Sequence, residues 1–145
     1  MKILIINGPN INMLGIREKE VYGNKTYADL VSYCLEEANK LNLEIECFQS
    51  NHEGCIIDKI QQAYNVFDGI IINAGAYTHY SIAIMDALKS VNIPTIEVHL
   101  TNIYSRESYR NISYIKEASI SSIVGKGFEG YKIALIELKK YLKED

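Results

Sequence analysis

An α/β fold, with a parallel β-sheet covered by helices on both faces, is what this chain predicts, from three observations. Short continuous apolar runs recur along it, segments with helical spacing separate them, and the strand-to-helix alternation repeats five times. At 145 residues the chain is the length of one domain, and no repeat, linker or low-complexity stretch divides 1–145.

The elements follow in order. Residues 2–6 hold Ile3-Leu4-Ile5-Ile6, a run apolar enough to be buried on both faces as the first strand. A loop over 7–23 comes next, longer than the usual two to six residues between strand and helix. It carries Arg17 and Tyr22 between Gly15 and Gly23, the make-up of a lid over a reaction site. Thr26, with Asp29 three residues on, reads as a capping box. The helix it opens has one apolar stripe: Tyr27, Leu30, Val31, Cys34, Leu35, Ala38 and Leu41.

Further strands are expected at 43–48, 69–72, 95–98 and 118–124. A weaker helix covers 56–64, and another covers 81–91 until Pro94 ends it. The last, 127–142, sets Tyr131, Ala134, Leu135, Leu138, Tyr141 and Leu142 on one face. Between 102 and 116 the pattern is less regular, consistent with a helical turn or two. Five strands wound this way favour the flavodoxin-like order 2-1-3-4-5.

Composition excludes several classes. A net charge of −3 with no basic stripe argues against a nucleic-acid partner, which needs phosphate neutralisation. Lys132, Lys139, Lys140 and Lys143 read as the solvated face of the last helix. Cys34, Cys47 and Cys55 are odd in number and lack CxxC spacing, so they read as reduced, mostly buried thiols of a cytoplasmic protein. The N-terminal apolar run is only a strand long, which does not fit a signal peptide, and none approaches membrane-spanning length.

In such a sheet, ligands bind beyond the carboxyl ends of the strands. The unusual residues sit there: Asn7, Pro9 and Asn10 after the first strand, Gln49 to Gly54 after the second, Asn73 to Ser81 after the third, and His99 to Asn102 after the fourth. All three histidines, His52, His79 and His99, lie in these segments. A metal triad across loops is conceivable, but neither HxH nor HExxH occurs. Gly125-Lys126-Gly127-Phe128-Glu129-Gly130 matches GxGxxG, yet it follows the last strand and lacks the acidic residue about 20 positions on. Close backbone packing explains those glycines better. No GxxxxGK[ST] occurs, and Ser81 and Cys55 have no evident base with an orienting acid.

The blocks Asn7-Gly8-Pro9-Asn10-Ile11-Asn12-Met13-Leu14-Gly15-Ile16-Arg17-Glu18, Val21-Tyr22-Gly23 and Gln49-Ser50-Asn51-His52-Glu53-Gly54 resemble type II 3-dehydroquinate dehydratase. So do Ile72 to His79, Asp86-Ala87-Leu88, Ile96 to Asn102, Arg106-Glu107 and Arg110, in the family's order and over nearly the whole chain. The resemblance implies a flavodoxin-like subunit of a dodecamer built as a tetramer of trimers. The implied reaction is anti elimination of water from 3-dehydroquinate, giving 3-dehydroshikimate in the shikimate pathway, without metal, cofactor or Schiff base. It implies Tyr22 as the general base, Arg17 as the cation favouring the tyrosinate, and Asn10 as the holder of a water that stabilises the enolate. It implies His99 as the acid for the departing hydroxyl, oriented by Glu97. Asn73, His79, Leu100, Thr101, Arg106 and Arg110 would bind the substrate, and Asp86 would reach a neighbouring subunit's site. Many relatives have Thr, Arg and His where this chain has Tyr80, Met85 and Tyr104, which bears on the trimer contact and the tuning of the pocket.

Elementary electrostatics supports the lid. A free tyrosine with a pKa near 10 is only about 0.1% ionised at neutral pH. One guanidinium about 4 Å away supplies about 4 kcal/mol at an effective dielectric near 20, and far less in open water. Arg17 and Tyr22 therefore need a closed lid. The rival reading from another class is a non-enzymatic ligand-binding or oligomeric scaffold on the same fold.

Overall fold

In the computed structural model, which describes residues 1–16 and 18–144 and only the backbone of Val21 and Tyr22, one sheet carries everything. Its five parallel strands are β1 (Lys2–Asn7), β2 (Glu44–Gln49), β3 (Gly69–Asn73), β4 (Thr95–His99) and β5 (Ser121–Val124). They lie in the order β2-β1-β3-β4-β5, the flavodoxin-like arrangement the alternation favoured. The helices are α1 (Lys19–Tyr22), α2 (Tyr27–Lys40), α3 (Glu53–Gln62), α4 (Ile82–Val91) and α5 (Glu129–Glu144).

Two cores form because the central strands are apolar on both faces. Ile3, Ile5, Ile71, Ile96 and Val98 pack under α2 and α5 with Leu30, Cys34, Ala134 and Leu138. Leu4, Ile6, Ile70 and Ile72 pack under α3 and α4 with Ile56, Ile60, Ile84 and Leu88. Alternate residues of a strand face opposite layers, so β4 sends Ile96 and Val98 to the first core and leaves Glu97 and His99 on the other face.

The caps explain the helix limits. Thr26 Oγ1 accepts from Asp29 N at 3.2 Å and Asp29 Oδ2 accepts from Thr26 N at 2.8 Å, the reciprocal box read from the sequence. Helix α4 stops at Asn92, a residue tolerant of the left-handed region (φ 53°), two positions before Pro94.

Some expectations shift. Helix α3 begins at Glu53, three residues earlier than expected. Residues 118–120 are not strand: Lys116–Ala118 form a 3-10 turn and β5 starts at Ser121. The apolar Ile115 and Ala118 there pack on the α3–α4 core instead, so their pattern served a turn and not a ladder. Part of the 7–23 segment is helical, as α1 and as a 3-10 turn over Ile11–Met13. Of the cysteines, Cys34 is buried, Cys47 half-buried and Cys55 exposed, so the expectation of mostly buried thiols fails at Cys55. Burial pushes the Cys47 thiol up to about 11. Among the described residues no helix is long and apolar enough to cross a membrane.

Candidate active site

Register places Glu97 before anything else. Strand β4 pairs Glu97 with Ser122 on β5 and with Ile72 on β3. Glu97 is fully buried, where a carboxylate survives only if its lone pairs are matched. Ser122 Oγ donates to Oε1 at 2.5 Å, while His99 Nε2 (2.9 Å) and Ser113 Oγ donate to Oε2. Burial alone would raise the carboxyl's pKa. The bonds from His99, Ser113 and Ser122 outweigh it and hold the group below the ordinary carboxylate range. With the carboxylate occupying Nε2–H, the His99 ring is left with Nδ1 for proton exchange.

A second network lies on the opposite face of the sheet at the same carboxyl end. Asn7 and Asn73 are the last residues of β1 and β3 and are paired in register. Tyr131, wholly buried on α5, spans both: its hydroxyl donates to Asn7 Oδ1 at 2.5 Å and accepts from Asn73 Nδ2 at 3.3 Å. Asn73 Oδ1 in turn accepts from Gly75 N at 3.1 Å, fixing the start of the loop after β3.

Between these networks opens a cavity of about 110 Å³. It is lined from the loop after β1 by Pro9, Asn10 and Ile11, and from the loop after β3 by Asn73, Gly75, Ala76 and His79. From β4 onward come His99, Leu100, Thr101, Ile103, Arg106 and Arg110. Asn10 sits at φ 70°, and its N–H donates to Asn51 Oδ1 at 3.0 Å. Gln49 Nε2 donates to the same Asn51 oxygen and to the Gly8 carbonyl, both at 3.1 Å, so the loop after β2 braces the turn.

Both arginines flank one carboxylate. Arg110 Nε lies 2.8 Å and Arg106 Nε 3.8 Å from Glu107 Oε2, a spacing that keeps the two guanidiniums close despite their like charge. His79 Nδ1 donates to the Ile112 carbonyl at 2.8 Å, so Nε2 is its acceptor. Burial, helped by His99 and Arg110, pulls the His79 pKa below its ordinary value despite that bond, which favours the neutral ring. A half-enclosed cavity with two cations, a neutral imidazole acceptor and a carboxylate–imidazole pair suits a small hydroxylated acid and proton transfer beside it.

Of the residues singled out by sequence, Asn10, Asn73, His79, His99, Leu100, Thr101, Arg106 and Arg110 come together around this cavity, with Glu97 directly behind His99. Asp86 does not line it and is exposed on α4. Arg17 lies outside the described residues, as does the side chain of Tyr22, whose backbone ends α1. His52 precedes α3 at an exposed position and does not line the cavity. Sequence reasoning missed Ser113, Ser122 and Tyr131. Tyr131 read as one more core aromatic, and a serine in a short strand carries no signal. Among the described residues, no group of three His, Cys, Asp or Glu side chains could hold a metal ion.

A family model described as dehydroquinase class II matches residues 1–139. The 3-dehydroquinate dehydratase of Clostridium acetobutylicum is 58% identical over 144 residues, 99% of this chain and 100% of that protein. That of Bacillus mycoides is 52% identical over 143 residues, 99% of this chain and 98% of that one. The crystal structure of type II dehydroquinase from Butyrivibrio crossotus superposes with a TM-score of 0.94 at 56% identity, covering 96% of this chain and 97% of that one. That from Propionibacterium acnes gives 0.92 at 39% identity, covering 96% of each chain.

Proposed function

The chain belongs to the dehydroquinase class II family, and from that membership we propose that it removes water from 3-dehydroquinate by anti elimination through an enolate, yielding 3-dehydroshikimate in the shikimate pathway. The single observation that carries the reading beyond family is the buried Glu97–His99 pair opening onto a cavity that Arg106 and Arg110 also line.

The roles follow from chemistry. Arg106 and Arg110 hold the substrate carboxylate through forked, charge-assisted bonds. His79 Nε2 accepts from a ring hydroxyl, because its Nδ1 proton is committed to Ile112. Asn73, Leu100 and Thr101 bind further hydroxyls. Tyr22, made anionic by Arg17 when the lid closes, takes the proton beside the ketone. Asn10 holds the water that stabilises the enolate oxygen. His99, carrying a second proton on Nδ1 while its Nε2–H stays on Glu97, hands that Nδ1 proton to the departing hydroxyl and returns to the neutral ring, and Glu97 keeps the ring oriented.

The same reading makes the protein a cytoplasmic homo-oligomer, a tetramer of trimers. Supporting it, Tyr80 (62% exposed), Tyr109 (68%) and Ile112 (59%) are large apolar side chains left open near the site. Asp86, on α4 outside its own cavity, is available to a neighbour. Solution mass measurement decides the oligomer.

The deciding assay is the ultraviolet absorbance of the conjugated enone on adding 3-dehydroquinate. Growth of that absorbance is the expected result. Its absence at high protein concentration overturns the reading in favour of a ligand-binding scaffold.

A further inference from the structure

Three consecutive residues, Ile112, Ser113 and Tyr114, each make one hydrogen bond inward to the site. The Ile112 carbonyl accepts from His79 Nδ1 at 2.8 Å, Ser113 Oγ donates to Glu97 Oε2, and Tyr114 N donates to the Thr78 carbonyl at 2.9 Å. The segment is thus a strap pinned at both ends beside His79, with its middle residue reaching the carboxylate behind His99.

The hydroxyl of Ser113 has its direction set locally. It accepts from Lys116 N at 3.1 Å, which leaves its single proton to point at Glu97. The other carboxylate oxygen is taken by Ser122 at 2.5 Å. A carboxylate carrying these donors accepts only, so His99 keeps its proton on Nε2. A carbonyl oxygen also accepts only, so His79 keeps its proton on Nδ1. Two imidazoles in one cavity are thereby held in opposite tautomers, His79 by the strap's own carbonyl and His99 by the carboxylate that the strap's Ser113 orients.

We propose that Ser113 is a positioning residue for the reaction: through the strap it fixes Nδ1 of His99 as the proton-delivering nitrogen and keeps Nε2 of His79 as the accepting one. The strap begins two residues after Arg110, so capture of the substrate carboxylate and the setting of both rings belong to one loop. The titratable and charged groups acting on one another here are His79, Glu97, His99 and Arg110. The kinetic part of this inference rests on the dehydratase reading, whereas the tautomers rest on geometry alone.

The test uses the full chain labelled with nitrogen-15 histidine, whose three histidines give three sets of ring signals. In the wild type, one ring should be protonated on Nδ1 (His79) and another on Nε2 (His99). In Ser113→Ala the His99 signals should shift towards a tautomer mixture, kcat should fall about tenfold, and KM should change less. The acid limb of the kcat profile should move to higher pH, because Glu97 has lost a donor. Ser113→Thr keeps the hydroxyl and should restore all of these. Ser122→Ala should raise the acid limb while leaving the His79 signals unmoved. If the alanine variant does not fold, Ser113→Cys keeps the bulk with a far weaker donor and serves the same comparison.

Unmoved ring signals and an unmoved acid limb in Ser113→Ala overturn the proposal, as does an equal turnover loss in Ser113→Thr. A wild type that fails to turn over 3-dehydroquinate refutes the functional reading instead, while the ring signals still decide the tautomers.

Discussion

Removing one oxygen atom, in Tyr131→Phe, tests how firmly the floor of the site is tied to the core. The side chain is fully buried, and its hydroxyl serves Asn7 (1% exposed) and Asn73 (3% exposed) at once. Loss of the hydroxyl leaves Asn7 Oδ1 without a donor. Asn7 also bonds the Tyr27 hydroxyl, so flipping its amide only exchanges which end is unpaired. That buried orphan costs about 1–3 kcal/mol. Asn73 lines the cavity, where water can take over its amide, so its share is smaller, about 0.5–1 kcal/mol. The sum is about 1.5–4 kcal/mol, a large fraction of the roughly 5–15 kcal/mol by which a domain is stable. The chain has no Trp, so urea unfolding is followed by far-ultraviolet circular dichroism at fixed protein concentration. Tyr64→Phe, at a site 59% exposed, is the control and should change nothing measurable. A Tyr131→Phe loss no larger than the control's refutes the view that this network holds the floor together.

Other perturbations follow from the same geometry. Glu97→Gln keeps the shape but turns charge-assisted bonds into neutral ones, about 1 kcal/mol weaker each over three donors, so turnover should fall roughly 10²-fold in the enone assay. Glu97 is held below its ordinary 4.5, so its stabilisation is complete above about that pH and is lost as pH falls through the lower folded value. His79, held below its ordinary 6.5, acts in the same direction at higher pH. Acid unfolding of Glu97→Gln should therefore flatten relative to wild type as pH falls from about 4.5 towards the lower folded value, and coincident curves there contradict the assignment. Tyr22→Phe and Arg17→Ala should each lose several orders of magnitude in turnover while still folding, and near-normal turnover in Tyr22→Phe ends the tyrosinate proposal. Arg110→Ala should raise KM about 10–100-fold with a smaller change in kcat, and Arg110→Lys should not restore it, since lysine cannot fork. Gly8→Ala places a methyl against the Ala74 backbone carbonyl and should cost about 2–4 kcal/mol in urea unfolding, whereas Gly54→Ala, with open space around it, should not destabilise.

Much of this was legible along the chain. Apolar runs and helical stripes are local properties, so the five strands, the four long helices and the Thr26 cap could be read directly, and with them the sheet order. The limits that moved are those where an apolar residue serves two possible ends: Ile115 and Ala118 face the α3–α4 core from a turn as well as they would from a strand. Alternation along β4 put Glu97 and His99 on one face, because i and i+2 always share one. The strand-end rule put the polar loops together, and the resemblance named their roles.

What residue spacing could not supply is who meets whom across the sheet. Tyr131 reaches Asn7 from 124 positions away and Ser122 reaches Glu97 from 25, distances set by strand order and register and not by any local pattern. A buried carboxylate or amide is held by whichever donor the packed neighbour happens to present, and only the folded chain decides which one that is. The sequence alone determined the layers, the loops and the chemistry gathered at one edge. The tertiary structure decided the acceptors that fix a proton on each ring and the donors that hold Glu97, because hydrogen bonds are short and directional while sequence distance is neither.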